Sequence, residues 1–412
     1  MDSAILRDLI RPGDLIVAGQ ALGEPTALIA EVFAAVADVP GVRMFAGMSL
    51  TTVFPEAPPG FGLCSFVGMP PFSDLIADGR LDLIPAHMSA LPRLFAAGPL
   101  KADVVLVSVS PPDAEGFCSL GVVSDYVWPA VHSARVVIAE INDAIPVVAG
   151  ETRLHVDTFA ATMKVSHPLP EYRAQAPSAL EQEIGRHVAG FVRDRSCVQV
   201  GIGKLAEAVL HAVVDRRDLS IHSGMIGDTA LALMRDGVVT NRFKEIDEGR
   251  TVAGSILGSA RGVALAAAEP RLDLRSVSYT HDPGVVGSIS NFVCVNSALE
   301  VDLFGQVNSE VAGSRYVGAV GGSVDFLRAA VVSPGGRAIV ALPTTASRGR
   351  SRIVPQVARV TAAGADVDVV VTEYGVADLR GVSASERARR IVAVAAPEHR
   401  ETLTKAATEA GL

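Results

Sequence analysis

Asn291-Phe-Val-Cys-Val-Asn-Ser-Ala-Leu-Glu-Val-Asp302-Leu-Phe-Gly305, continuing to Gly321-Gly-Ser-Val-Asp-Phe326, is the segment whose reading decides the fold. Its opening run, Phe292 to Val295, has the length and β-branched content of a buried strand. A polar turn is expected at Asn296 and Ser297, followed by two carboxylates, Glu300 and Asp302. Gly305, Gly313, Gly318, Gly321 and Gly322 come after them. Glycine at this density lets backbone N–H groups turn toward a ligand. A strand that empties into such a turn marks the site of an open α/β sheet.

The rest of the chain fits that class. Its 412 residues suggest two domains. Hydrophobic content of 49% with 20% charged residues indicates packed globular structure. A net charge of -9 with no Lys/Arg block argues against nucleic-acid binding. Cys64, Cys118, Cys197 and Cys294 are dispersed and form no C-x-x-C pair, so neither a zinc site nor a disulfide framework is expected. Buried, reduced thiols are. The start, MDSAILRDLIRPGD, lacks the pattern of a signal peptide, and no apolar run approaches a membrane span. The expected location is cytoplasmic.

Leu15 to Ala18 reads as a strand followed by glycine, with Thr26 placed to cap the next helix. Leu81–Pro85, Asp103–Val109 and Ala134–Ala139 are also strand-like, and strands alternating with helical stretches imply a largely parallel sheet. The segment Lys164 to Ser178, with Pro168, Pro170 and Pro177, reads as a linker. Ser178 and Glu181 beyond it make a capping box. The second part of the chain then repeats the plan of the first. Val198-Gln-Val-Gly201 echoes Ile16-Val-Ala-Gly19, and the acid-glycine order of Asp302 and Gly305 echoes Asp113 and Gly116. The expectation is two similar open α/β domains with mainly parallel sheets, 1–170 and 171–412, and a ligand cleft between them.

These residues carry a resemblance. Gly23-Glu-Pro-Thr26, Ser110-Pro-Pro-Asp113, Gly201-Ile-Gly203, Asn296 to Asp302 with Gly305, Gly321 to Phe326, Ser351-Arg-Ile-Val-Pro355 and Val371-Thr-Glu-Tyr-Gly375 follow in family order. The chain resembles the acetyl-CoA hydrolase/transferase family, the 4-hydroxybutyrate CoA-transferase-like members of the class I CoA-transferase superfamily. The resemblance implies an acyl-CoA substrate, coenzyme A only as part of that substrate, no permanent cofactor or metal, and a homo-oligomer, expected as a dimer. In this family a glutamate carboxylate attacks the thioester, and backbone N–H groups hold the oxyanion. By resemblance those donors come from Gly201, Ile202 and Gly322. Gly201, Ile202, Gly203, Lys204, Leu205, Leu299, Gly322 and Phe326 would line the CoA arm. His222, Glu300, Asp302 and Glu373 fall on supporting positions.

One position departs from the family. The pattern apolar-His-Thr-Glu-Met-x-x-Asp corresponds here to Ile221-His222-Ser223-Gly224-Met225-Ile226-Gly227-Asp228. The glutamate's place is held by Gly224, which has no carboxylate. Where relatives carry an asparagine before x-Pro, this chain has His281-Asp282-Pro283. An imidazole beside a vacated nucleophile suggests activated water, with His281 taking the proton near neutrality. Three readings follow: hydrolysis of a CoA-linked substrate at the thioester or a C–C bond, CoA transfer through another carboxylate such as Glu300, and a non-catalytic CoA-binding subunit.

Overall fold

The computed structural model describes residues 1–412. Two twisted sheets dominate. The seven strands of the first run in the spatial order Asp82–Leu83, Gly62–Ser65, Arg43–Ala46, Leu15–Ala18, Val104–Val109, Val136–Asn142, Ala161–Val165. All of their pairings are parallel. The second sheet runs Leu272–Leu274, Thr251–Ile256, Ser220–Ile226, Cys197–Val200, Phe292–Ser297, Arg337–Ala341, Val369–Thr372. An antiparallel eighth strand, Gly375–Asp378, closes its far edge. In each sheet the earliest strand lies between the second and the fifth, so the direction of winding reverses beside it. The backbone repeats this echo in detail: Gly19 N–H donates to the Leu106 carbonyl at 3.0 Å, and Gly201 N–H donates to the Val295 carbonyl at 3.1 Å.

The chain leaves the first sheet at Val165 and enters helix Ala179–Ala189, which carries the expected Ser178–Glu181 capping box. Two details differ from the sequence reading. Asn296 and Ser297 are not a turn, because the central strand continues through them. Thr26 does not cap its helix. Glu140, inside strand Val136–Asn142, reaches across and accepts from Leu28 N–H at 2.8 Å.

The second sheet separates its two faces by alternation. Val293, Val295, Ile339, Val369 and Val371 join a core of 86 buried residues that begins at Leu6 in the first sheet's half. Phe292, Cys294, Ala338, Val340 and Val370 point the other way, into a separate core with helices Ser323–Val332 and Ala384–Ala393. The first of these faces packs under helices Ala179–Ala189 and Lys204–His211, and its core continues without a break into the first half, so the halves share a continuous interior. Backbone bonds also stitch them: Ser124 and Asp125 N–H donate to the Gly254 carbonyl, and Met88 N–H donates to that of Gly321. All four cysteines are buried and unpaired. No helix is long and apolar enough to cross a membrane.

Candidate functional site

The carboxyl ends of both sheets meet around a cavity of about 170 Å³. It lies where each winding direction reverses, the position at which such sheets bind ligands. From the second sheet come Gly201 and Ile202 after strand Cys197–Val200, Gly224 within Ser220–Ile226, and Asn296 within Phe292–Ser297. Gly321, Gly322 and Phe326 close one wall, and His281 projects between them. From the first sheet's half come Gln20, Met48, Phe66, Val67 and Met69, on loops just beyond strand ends, and Met88, which opens the short 3-10 helix Met88–Ala90.

His281 and two glycines crowd together at the cavity wall. A Cβ on Gly224 would sit 3.0 Å from both Cε1 and Nε2 of His281, and one on Gly322 would overlap the ring outright. The imidazole thus occupies space that only glycine leaves open, with its Nε2 edge between the two backbones. The ring rests against Phe326 at 4.5 Å between centroids. Its Nδ1 meets the Thr280 hydroxyl at 2.9 Å, and that hydroxyl donates to the Ser276 carbonyl at 3.3 Å. With the hydroxyl proton directed there, Nδ1 carries the ring proton and Nε2 faces the cavity with a free lone pair. Burial lowers the pKa of His281 to about 3. The expectation of an imidazole titrating near neutrality is therefore corrected: the ring is buried, and no carboxylate accompanies it.

The oxyanion donors need a second correction. Gly201 N–H is committed to Val295, as its strand-end geometry requires, and cannot serve a ligand. Ile202 and Gly322 have no backbone or side-chain acceptor for their N–H groups, and both line the cavity. Gly322 precedes helix Ser323–Val332, so its N–H belongs to the positive end of that helix. Gly321, at φ +56°, makes the turn that aims it.

The other expected site residues divide clearly. Gly201, Ile202, Gly322 and Phe326 come together in the cavity, whereas Gly203, Lys204 and Leu205 lead away into helix Lys204–His211. Leu299 lies in a separate groove with Glu300, Arg350 and Arg352. His222 is buried and held neutral by burial, with Nε2 3.1 Å from the Thr280 carbonyl. Glu300 accepts from Asn308. Asp302 accepts from the backbone N–H groups of Phe304, Gln306 and Val357. Glu373 accepts from the backbone and hydroxyl of Thr344. All three acids bind loops and none lines the cavity. Of the five glycines after the central strand, only Gly321 and Gly322 reach it. No cluster of His, Cys, Asp and Glu could hold a metal ion.

The residues from the first half were missed in the sequence. Their signal was available, since Met48, Phe66 and Met69 are large apolar side chains in glycine-flanked loops, where polar residues are usual.

Comparison with known proteins places this geometry. Residues 3–167 match the acetyl-CoA hydrolase/transferase N-terminal domain, and residues 258–407 match the C-terminal domain of the same name. The 4-hydroxybutyrate coenzyme A transferase of Clostridium kluyveri is 40% identical over 334 residues, covering 80% of this chain and 78% of that one. An acetyl-CoA hydrolase of Kluyveromyces lactis is 30% identical over 256 residues, 55% of this chain and 45% of its own length. Among solved structures, RipA from Yersinia pestis superposes over the whole of both chains with a TM-score of 0.90 at 31% identity.

Proposed function

Because this chain belongs to the acetyl-CoA hydrolase/transferase family, we propose that it is an acyl-CoA-processing enzyme that hydrolyses its CoA thioester with water, without a glutamyl intermediate. The observation that carries this reading is the composition of the cavity wall. It holds no carboxylate, thiol or amine, and Gly224, which the family resemblance puts in the glutamate's place, faces His281.

In this reading a water lies against His281 Nε2, with the thioester carbonyl oxygen on the Ile202 and Gly322 N–H groups. Water oxygen attacks the carbonyl carbon, the C=O π pair moves to oxygen, and the water proton passes to Nε2. Collapse expels the CoA sulfur, which takes the proton back from Nε2 and leaves as thiol. A buried imidazolium is costly by itself. It arises here only together with the oxyanion, so charge separation is stabilised in the transition state and not in the resting enzyme. CoA enters only as substrate, and the units 1–170 and 171–412 supply opposite walls.

Transfer through another carboxylate lacks a candidate in the cavity, because Glu300 and Glu373 are engaged elsewhere. Turnover in heavy-oxygen water separates the readings. Hydrolysis puts one heavy oxygen in the released acid without any acceptor acid present. Turnover that requires an acceptor carboxylate would refute it.

A further inference from the structure

The wall that the first half supplies is largely apolar: Met48, Phe66, Val67, Met69 and Met88 line it, with Met88 beside Gly322. Phe66 is rigid, since its ring stacks on Phe45 at 7° between planes and meets Tyr126 edge-on. Gln20 and Asn296, which reach the cavity beside them, bind protein groups. Gln20 accepts from Met48 N–H at 2.9 Å and donates to the buried Asp125 carboxylate at 2.5 Å. Asn296 donates to Gln199 at 3.0 Å. No lysine or arginine lines any part of the wall.

We propose that this cavity selects a compact apolar acyl group, a short aliphatic chain or a single six-membered ring, and rejects acyl groups that end in a second carboxylate. The proposal rests on the reading of the cavity as an acyl-CoA site, but not on hydrolysis. Size sets the upper limit: an apolar cavity of about 150 Å³ takes up benzene, and this one encloses about 170 Å³. Charge sets the exclusion, because a terminal carboxylate would lose its water and meet methionine and phenylalanine side chains with no cation. Met48 and Met69 are the specificity-determining residues. Met48 is nearly buried at one wall, and Met69 is half-buried and free to exchange.

Titration calorimetry of the full chain with CoA and with acetyl-, butyryl-, cyclohexanecarbonyl-, octanoyl- and succinyl-CoA tests this, with turnover measured separately. Binding should tighten about tenfold per methylene from acetyl toward butyryl. Butyryl- and cyclohexanecarbonyl-CoA should bind at least about tenfold more tightly than succinyl-CoA. Met69→Arg should reverse the order of butyryl and succinyl, and Met48→Ala should improve octanoyl-CoA relative to butyryl-CoA. Succinyl-CoA binding as tightly as butyryl-CoA would overturn the proposal, as would acyl-CoAs binding no better than CoA. So would wild-type preferences in both folded variants. If Met69→Arg does not fold, Met48→Ala and the wild-type series decide. Apolar preference without hydrolysis would refute the hydrolytic mechanism and leave the specificity standing.

Discussion

Ser89 gives both its backbone N–H, at 3.1 Å, and its hydroxyl, at 2.7 Å, to the carboxylate of Asp325. Asp325 lies in the first turn of helix Ser323–Val332, just beyond Gly322. With the bond from Met88 N–H to the Gly321 carbonyl at 2.9 Å, the pair fixes the Gly321–Gly322 turn against the first half of the chain. The proposed oxyanion donor therefore belongs to one half and its position is set by the other. Ser89→Ala should lower turnover by about tenfold while acyl-CoA affinity changes little, and should cost about 1–3 kcal/mol of stability because the carboxylate loses a partner. Parallel denaturation and kinetic measurements check this. Unchanged turnover in a destabilised variant would reduce the pair to a structural clasp.

Gly322 is the position where the smallest substitution should have the largest effect. Its added Cβ meets the His281 ring, so Gly322→Ala should destabilise by about 1–3 kcal/mol through overpacking and lose turnover. Combining it with His281→Ala should restore stability but not activity, since the space is recovered and the base is not. Denaturant titration of the two singles and the double gives the coupling between them. Simple additivity would mean that the ring moves aside freely.

Acidification should expose the cost of a neutral buried histidine. In the unfolded chain His281 titrates near 6.5, and in the fold burial lowers it to about 3. Between those values the unfolded chain binds a proton that the folded chain refuses. The stabilising contribution is full above about pH 6.5 and is lost progressively as pH falls toward 3. His222 is shifted in the same direction, whereas Asp125, raised by burial to about 6, acts in the opposite one. His281→Gln isolates the single group, and its unfolding midpoint should fall less than that of the wild type between about pH 7 and pH 4.5. Equal falls would show that the folded chain protonates His281.

These residues also show what a sequence can and cannot convey. The parallel sheets, the repeated plan and the central strand at Phe292 were legible because buried parallel strands are continuous apolar runs bounded by glycine. Gly224 and His281 were legible as a pair because the surrounding motif fixed their register. Three things were not. Gly201 has the same local sequence whether or not its N–H is spent on Val295, and that depends on a strand more than 90 residues away. The basicity of His281 depends on burial by Phe326, Gly224 and Gly322, which are far apart in the chain. Met48, Phe66 and Met69 become a wall only when the two halves meet.

The chemistry itself admits a direct test. Exposure to an acyl-CoA followed by borohydride reduction and peptide mass mapping should leave the peptide containing Gly224 unmodified, because no carboxylate is present there to form an acyl or CoA adduct. His281→Ala should reduce hydrolysis by roughly 10²–10⁴-fold, the usual effect of losing a general base. Gly224→Glu alone should restore nothing: its Cβ begins 3.0 Å from the imidazole, and the carboxylate would have to enter the volume that the ring fills. Gly224→Glu with His281→Asn clears that volume and supplies an amide that can hold the carboxylate in place. This double variant should form a trappable adduct at residue 224 and gain dependence on an acceptor acid. A trapped adduct on Glu300 or Glu373 of the wild type would show that the enzyme uses another carboxylate and that water is not its nucleophile.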